Sequence, residues 1–325
     1  MADLNGDRGQ ILLVAALALA AVFVLLTVVV NSAIFTENLA SRGETVGSDE
    51  ALTLQAAVAD GVGETITYAN RHNDTSNDAL ARNVTAETEN VSAAVSRHYV
   101  VDGAAVDVSG PHEFANGTRI VDENAGGSAF VGADDDAANW TVAEGVAARA
   151  VVLNVSRDSV MDDPEDESEP AESGFYVEVD DGSNAWNASL VRESHGGSDE
   201  FTVAVRGPSD SDDGYCTVDG SPEHVPVDLT EGTVAGEPCA PLDFARNVSE
   251  PYDVSYHNGD KVNGNYSLVV DEDDAEDGND NLTTTADTGD PYAHDAVYSV
   301  TVEYRYDGPQ LHYETNVRVA PGESR

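Results

Sequence analysis

Apolar residues follow three rhythms along this chain. From Ile11 to Val30 they form a twenty-residue uncharged run interrupted only by Thr27. About 20 apolar residues suffice to cross a bilayer core roughly 30 Å thick as a helix, and a helix satisfies its own backbone hydrogen bonds in lipid. Beyond it, Leu52, Gln55, Ala59, Val62 and Ile66 recur at spacings of three and four, which predicts one stripe down a helix. After the polar turn Arg71 to Asp78, Leu80, Val84, Val91, Ala94 and His98 predict a second helix, with Glu87 as the exception. These helices either pack as core or carry the apolar helix outward as a stalk.

From Tyr99 onward the period shortens to two, the mark of half-buried strands. Phe175 to Val179 and Trp186 to Arg192 flank Asp181-Gly182-Ser183-Asn184, a hairpin turn, and Phe201 to Val205 adds a third strand. The last hairpin places Ala296, Tyr298, Val300, Val302, Tyr304 and Tyr306 on one face. Its turn is Asp307-Gly308-Pro309-Gln310, and Leu311, Tyr313, Val317 and Val319 continue the alternation. The acidic runs Asp158 to Ser173, Ser209 to Glu223 and Asp271 to Asp290 lack an apolar period and read as solvated loops. Trp140 and Trp186 read as core. The fold class expected is α+β: a transmembrane helix, a short helical stalk, then an antiparallel β-rich extracellular head.

Charge narrows the partners. The chain carries 61 acidic and 15 basic residues, and Lys261 is its only lysine. Such a balance keeps a surface hydrated and repels nucleic acid and anionic headgroups. The 41% of hydrophobic residues opposes the alternative of disorder. An acid-rich, lysine-poor composition is similar to that of haloarchaeal proteins, whose surroundings screen the self-repulsion.

Ten Asn-X-Ser/Thr sequons stand at Asn73, Asn83, Asn90, Asn116, Asn139, Asn154, Asn187, Asn247, Asn265 and Asn281. Chance would supply roughly three, so the excess points to glycan acceptors on an external surface. The only cysteines, Cys216 and Cys239, are expected to join outside the cell, with two free thiols as the alternative. Two cysteines alone make no structural zinc site.

Tests for chemistry fail. Setting Gly278 as the turn glycine of a calcium loop puts Ala275 at the third ligand position and Thr284 at the twelfth, so the run Asp271 to Gly278 does not fit. The eight histidines have no metal-binding spacing, and no nucleophile elbow, phosphate loop or dinucleotide fingerprint occurs. No metal, no cofactor and no enzyme activity are expected.

Arg8-Gly9-Gln10-Ile11 directly ahead of the apolar run resembles the processing site of archaeal type IV pilin-like proteins. The stretch from Asp7 to Ala40 resembles a haloarchaeal family of uncharacterised secreted single-span proteins with such N-termini. Val14 departs from it, standing where many pilins carry Glu. The resemblance implies cleavage by a prepilin peptidase between Gly9 and Gln10, and packing of the helix against other pilin-like subunits. With the periodicities above, the expected division is a cytoplasmic leader-like segment (1–9), the transmembrane or pilin-like helix (10–35), a helical stalk region (36–98) and the acidic β-rich extracellular domain (99–325). The function expected is a glycosylated surface protein in the bilayer, N-terminus inside, serving as a pilin-like subunit or assembly component. An uncut anchored binding or adhesion module is the alternative, and a surface hydrolase the third.

Overall fold

The computed structural model describes residues 48–72, 76–100, 103–124, 127–161, 173–193, 200–220, 222–272, 275, 278–285, 290–309 and 311–322. Gly9, Gln10, the run Ile11 to Val30 and Asn73 lie outside them. Among the described residues no helix is long and apolar enough to cross a membrane.

Two helices lead, α1 over residues 48–72 and α2 at Asn77–Tyr99. Among the described residues fifteen strands follow: β1 Ala105–Asp122, β2 Ser128–Ala129, β3 Trp140–Val146, β4 Ala148–Ser156, β5 Tyr176–Asp180, β6 Ala185–Glu193, β7 Glu200–Arg206 and β8 Gly214–Asp219. The series continues with β9 His224–Asp228, β10 Thr233–Val234, β11 Glu237–Pro238, β12 Tyr252–His257, β13 Asn263–Val270, β14 Tyr292–Asp307 and β15 His312–Val319. They form two antiparallel sheets. The nine-stranded sheet runs β11-β10-β9-β4-β13-β1-β14-β15 with β2 on β13, and the six-stranded sheet runs β3-β12-β5-β6-β7-β8.

The sheets bury one apolar core between them. Leu153, Val155, Leu268 and Ile120 come from the larger sheet; Val177, Ala188, Leu190 and Val203 come from the smaller. At its centre Phe130, Phe175, Tyr256 and Tyr266 make four edge-to-face pairs, with ring centroids 5.0–5.5 Å apart, the arrangement ring quadrupoles favour. Trp140 and Trp186 are buried in the same core.

The helices make a second core on the larger sheet. Ala51, Leu54, Val58, Val62 and Ile66 of α1, with Leu80 and Val84 of α2, pack on Val106, Val108, Val300, Val302 and Tyr304. Both described helices therefore lie along the sheet. The buried stripe of α1 sits one position from the expected one over its first turns: Leu52 is 53% exposed while Ala51 and Leu54 are buried. On α2 the stripe continues through Thr88 and Ser92, while Ala94 and His98 are exposed. A polar seam is needed there because β13 pairs with β1 only from Thr118 onward, which leaves the start of β1 without a strand on that side. Ser92 Oγ accepts from Val108 N at 3.0 Å and Ser96 Oγ donates to Val106 O, so the helix closes the open strand edge.

Two strand expectations also change. The meander β5 to β8 includes a strand at Gly214–Asp219, inside an acidic run read as loop. On β14 the apolar face does not run through: Val297 joins Val300 and Val302, whereas Ala296 and Tyr298 pack with Ala147 and Val269. A register shift against Ala115 and Asn116 inserts one residue into β14 at this point, and a bulge breaks the period of two. Asn70 braces the irregular backbone, donating to Val297 O and accepting from Val297 N, both at 2.9 Å. The turn expected at Asp181 to Asn184 joins β5 to β6, and the one expected from Asp307 falls between β14 and β15, with Gln310 outside the described residues.

Candidate functional site

Cys216 and Cys239 form a disulfide, with Cα atoms 5.7 Å apart. Cys216 lies on β8, the outermost strand of the smaller sheet, and Cys239 directly follows β11, the outermost strand of the larger. The bond therefore joins the two sheets at their margins. A 3-10 turn at Ala240–Arg246 continues from Cys239. Its Pro241 approaches Gly214 so closely that a Cβ there would come within 2.7 Å of the proline ring.

The described sequons divide by exposure. Asn83 and Asn90 are exposed on α2, Asn116 at the bulged stretch of β1, Asn139 ahead of β3, and Asn247 ahead of β12. Asn139 Oδ1 accepts from Asn258 N at 3.0 Å. Asn154, Asn187, Asn265 and Asn281 are half-buried. Asn281 is wedged in place, its Oδ1 buried without a hydrogen bond and only 2.2 Å from where a Cβ on Gly132 would stand.

Three strands of the larger sheet, β4, β13 and β1, build a polar bay. Arg149, Val269, Arg119 and His294 are successive cross-strand partners on β4, β13, β1 and β14. Next to that row lie Val152, Ser267 and Val121, and next again the pair Asn154 and Asn265. Those residues of β4, β13 and β1, with Thr67, Asn70 and Arg71 at the end of α1, line a recess of about 350 Å³, and His294 stands beside it. Arg119 donates to Ser267 Oγ at 3.0 Å and to Glu123 Oε1 at 2.6 Å, and Nη1 faces His294 Nε2 at 3.3 Å. Arg149 is buried; it donates to Pro321 O and Val297 O and stands 4.9 Å from the centre of the Tyr298 ring. A guanidinium tolerates such burial because its planar fork can bond carbonyls while its face meets a π system. In a chain of net charge −46, Arg71, Arg119 and Arg149 thus line one recess.

Behind the bay, on the core side of β1, Asp122 accepts from Ser128 Oγ at 2.6 Å and Asn124 N at 3.2 Å. Burial raises its carboxyl above the ordinary value, and nearby Asp290 adds to the rise. Burial likewise raises Asp228 and pushes the Tyr292 phenol up to about 12, with Glu123 adding to the shift. Asp181 moves the other way, held down first by the backbone N–H of Ser249 and then by those of its own turn.

The histidines are dispersed. His72 stacks on Tyr68, His257 on Tyr176 while 3.5 Å from Glu178, and His312 meets Asp307 at 2.9 Å. Among the described residues no three His, Cys, Asp or Glu gather as a metal set. Sequence reasoning missed the bay entirely, because its arginines and asparagines come from strands far apart in the chain.

A family model described as "Family of unknown function (DUF7261)" matches residues 5–171. That match ends after β4, whereas strands beyond it complete both sheets. No curated protein and no solved structure matches the chain.

Proposed function

The chain belongs to DUF7261, and we propose that this member is a noncatalytic, membrane-anchored, glycosylated cell-surface protein. In this reading Ile11 to Val30 span the bilayer with the N-terminus cytoplasmic, and the acidic β-rich body stands outside. The protein serves as a pilin-like subunit or assembly component, cut between Gly9 and Gln10 by a prepilin peptidase and packed by its apolar helix against other such subunits.

The observation that carries the external placement is the Cys216–Cys239 bond across the margins of both sheets, since structural disulfides persist in oxidising compartments. Exposed acceptors at Asn83, Asn90, Asn116, Asn139 and Asn247 support glycosylation, and the acidic surface supports solubility at the cell exterior. The arginine-lined bay favours a second reading, an uncut anchored module whose head binds a small polar solute.

N-terminal sequencing and intact-mass measurement of the membrane-extracted protein test both. A chain starting at Gln10 supports the pilin-like route, and retention of the first nine residues supports the plain anchor. A sugar-free product in the cytosol with both thiols reduced overturns the proposal.

A further inference from the structure

Two of the half-buried sequons are neighbours across strands. Asn154 on β4 and Asn265 on β13 are direct register partners. Directly opposed residues of an antiparallel pair send their side chains to the same face, with Cβ atoms only about 4.5–5.5 Å apart. Both asparagines open into the same bay of about 350 Å³, overhung by the end of α1. That volume lies near the bottom of the range of small-ligand pockets, roughly 300–1,000 Å³, and leaves room for one sugar ring between these strands and the helix.

The ladder is also closed tightly here. A Cβ on Gly264 would come within 2.3 Å of Asn154 O, so the two backbones meet at a point where only glycine fits. Neither strand is an edge: β9 flanks β4 and β1 flanks β13. In the folded protein both acceptor segments are fixed in a sheet on both sides, and Ser267 of the second sequon already accepts from Arg119. A transferase that must take hold of an extended acceptor peptide reaches neither.

We propose that Asn154 and Asn265 form one composite glycosylation site that receives a single glycan, on Asn154, before β4 and β13 pair. The inference rests on the glycoprotein reading above. In the transfer, Asn154 Nδ2 bonds to the anomeric carbon of a lipid-phosphate-linked oligosaccharide. The anomeric C–O bond breaks, the lipid phosphate leaves with the electron pair, and the amide gives up one proton. Asn154 has precedence because β13 follows it by about 110 residues, which at ~5–20 residues per second leaves a window on the order of 10 s. When Asn265 emerges, Asn154 has already had that time to receive its sugar. The first sugar then occupies the bay beside Arg119 and Asn70 and bars a second.

Glycopeptide mapping with intact mass, on full-length protein from its native host, tests this in wild type, Asn154→Gln, Asn265→Gln and the double variant. In wild type the Asn154 peptide carries sugar and the Asn265 peptide is bare. Asn154→Gln keeps the same glycan count because Asn265 takes over, Asn265→Gln is unchanged, and the double variant loses one glycan. Ser156→Ala, which disables the first sequon and keeps its asparagine, behaves as Asn154→Gln and guards against misfolding of that variant. Sugar on both peptides of one molecule overturns the proposal. So does a bare pair beside occupied Asn83 and Asn90, or an Asn265 that stays bare in Ser156→Ala. Absence of sugar from every sequon overturns the glycoprotein reading itself.

Discussion

Replacing both cysteines with serine isolates what the cross-sheet bond contributes. The bond closes a loop with a sequence separation of 23, which in the chain-entropy account stabilises the fold by roughly 3 kcal/mol. The loop contains β8, β9, β10 and β11, the marginal strands of both sheets, so its loss frees two edges together. For a body of this size each kcal/mol moves the melting temperature by about 2–4 °C; the double variant should therefore melt roughly 6–12 °C lower. Both proteins are compared by calorimetry in the same salt, because a net charge of −46 makes self-repulsion salt-dependent. Amide exchange adds a local readout: protection should fall first over residues 214–238, with α1 and β14 little changed. Melting within about 2 °C of wild type would refute the argument that this bond limits the unfolded chain.

Asn70→Ala removes both bonds to the Val297 backbone at a buried position. Val297 O keeps its bond from Arg149, so the Val297 N–H is left unsatisfied, which costs about 1–3 kcal/mol; the urea midpoint should fall by an amount in that range, while the exposed Asn316→Ala on β15 leaves it in place. Asp122→Asn alters pH dependence. Because burial raises the folded carboxyl, the native state holds this proton more tightly than the unfolded chain. Its contribution is full below the unfolded value of about 3.9 and is lost as pH rises through the folded value. Melting curves should show the variant gaining on wild type from pH 4 to pH 7, and parallel curves would contradict the assignment.

The parts of the fold legible in the sequence are those where neighbours in sequence are neighbours in space. Strand β5, and β14 from Val300 onward, alternate because one face of each is buried, and the turns that follow them carry glycine with Asp or Asn. The stripe of α1 shifts because Ala51 and Ala69 give little apolar contrast, whereas Leu52, the more conspicuous residue, points outward. Ser92 falls outside the apolar stripe because its burial serves the backbone of β1, where its Oγ accepts from Val108 N. Strand β8 hides in an acidic run because its outward positions are polar and Tyr215 is 74% exposed. The bay and the Asn154–Asn265 pair depend on the register of β4 against β13, which no local pattern encodes. The cysteine pairing was legible because the chain has only two.

The way α1 lies on its sheet sets how the body bears mechanical load. Near its start, Tyr304 Oη donates to Ala51 O at 3.0 Å, Tyr306 Oη to Glu50 at 3.3 Å and Tyr313 Oη to Gln55 at 3.0 Å; near its end Asn70 grips Val297. The helix thus runs lengthwise and opposite to β14. Traction on the chain ahead of residue 48 pulls along that seam in shear, and the three tyrosine clasps and the asparagine grip resist it jointly rather than peeling one after another.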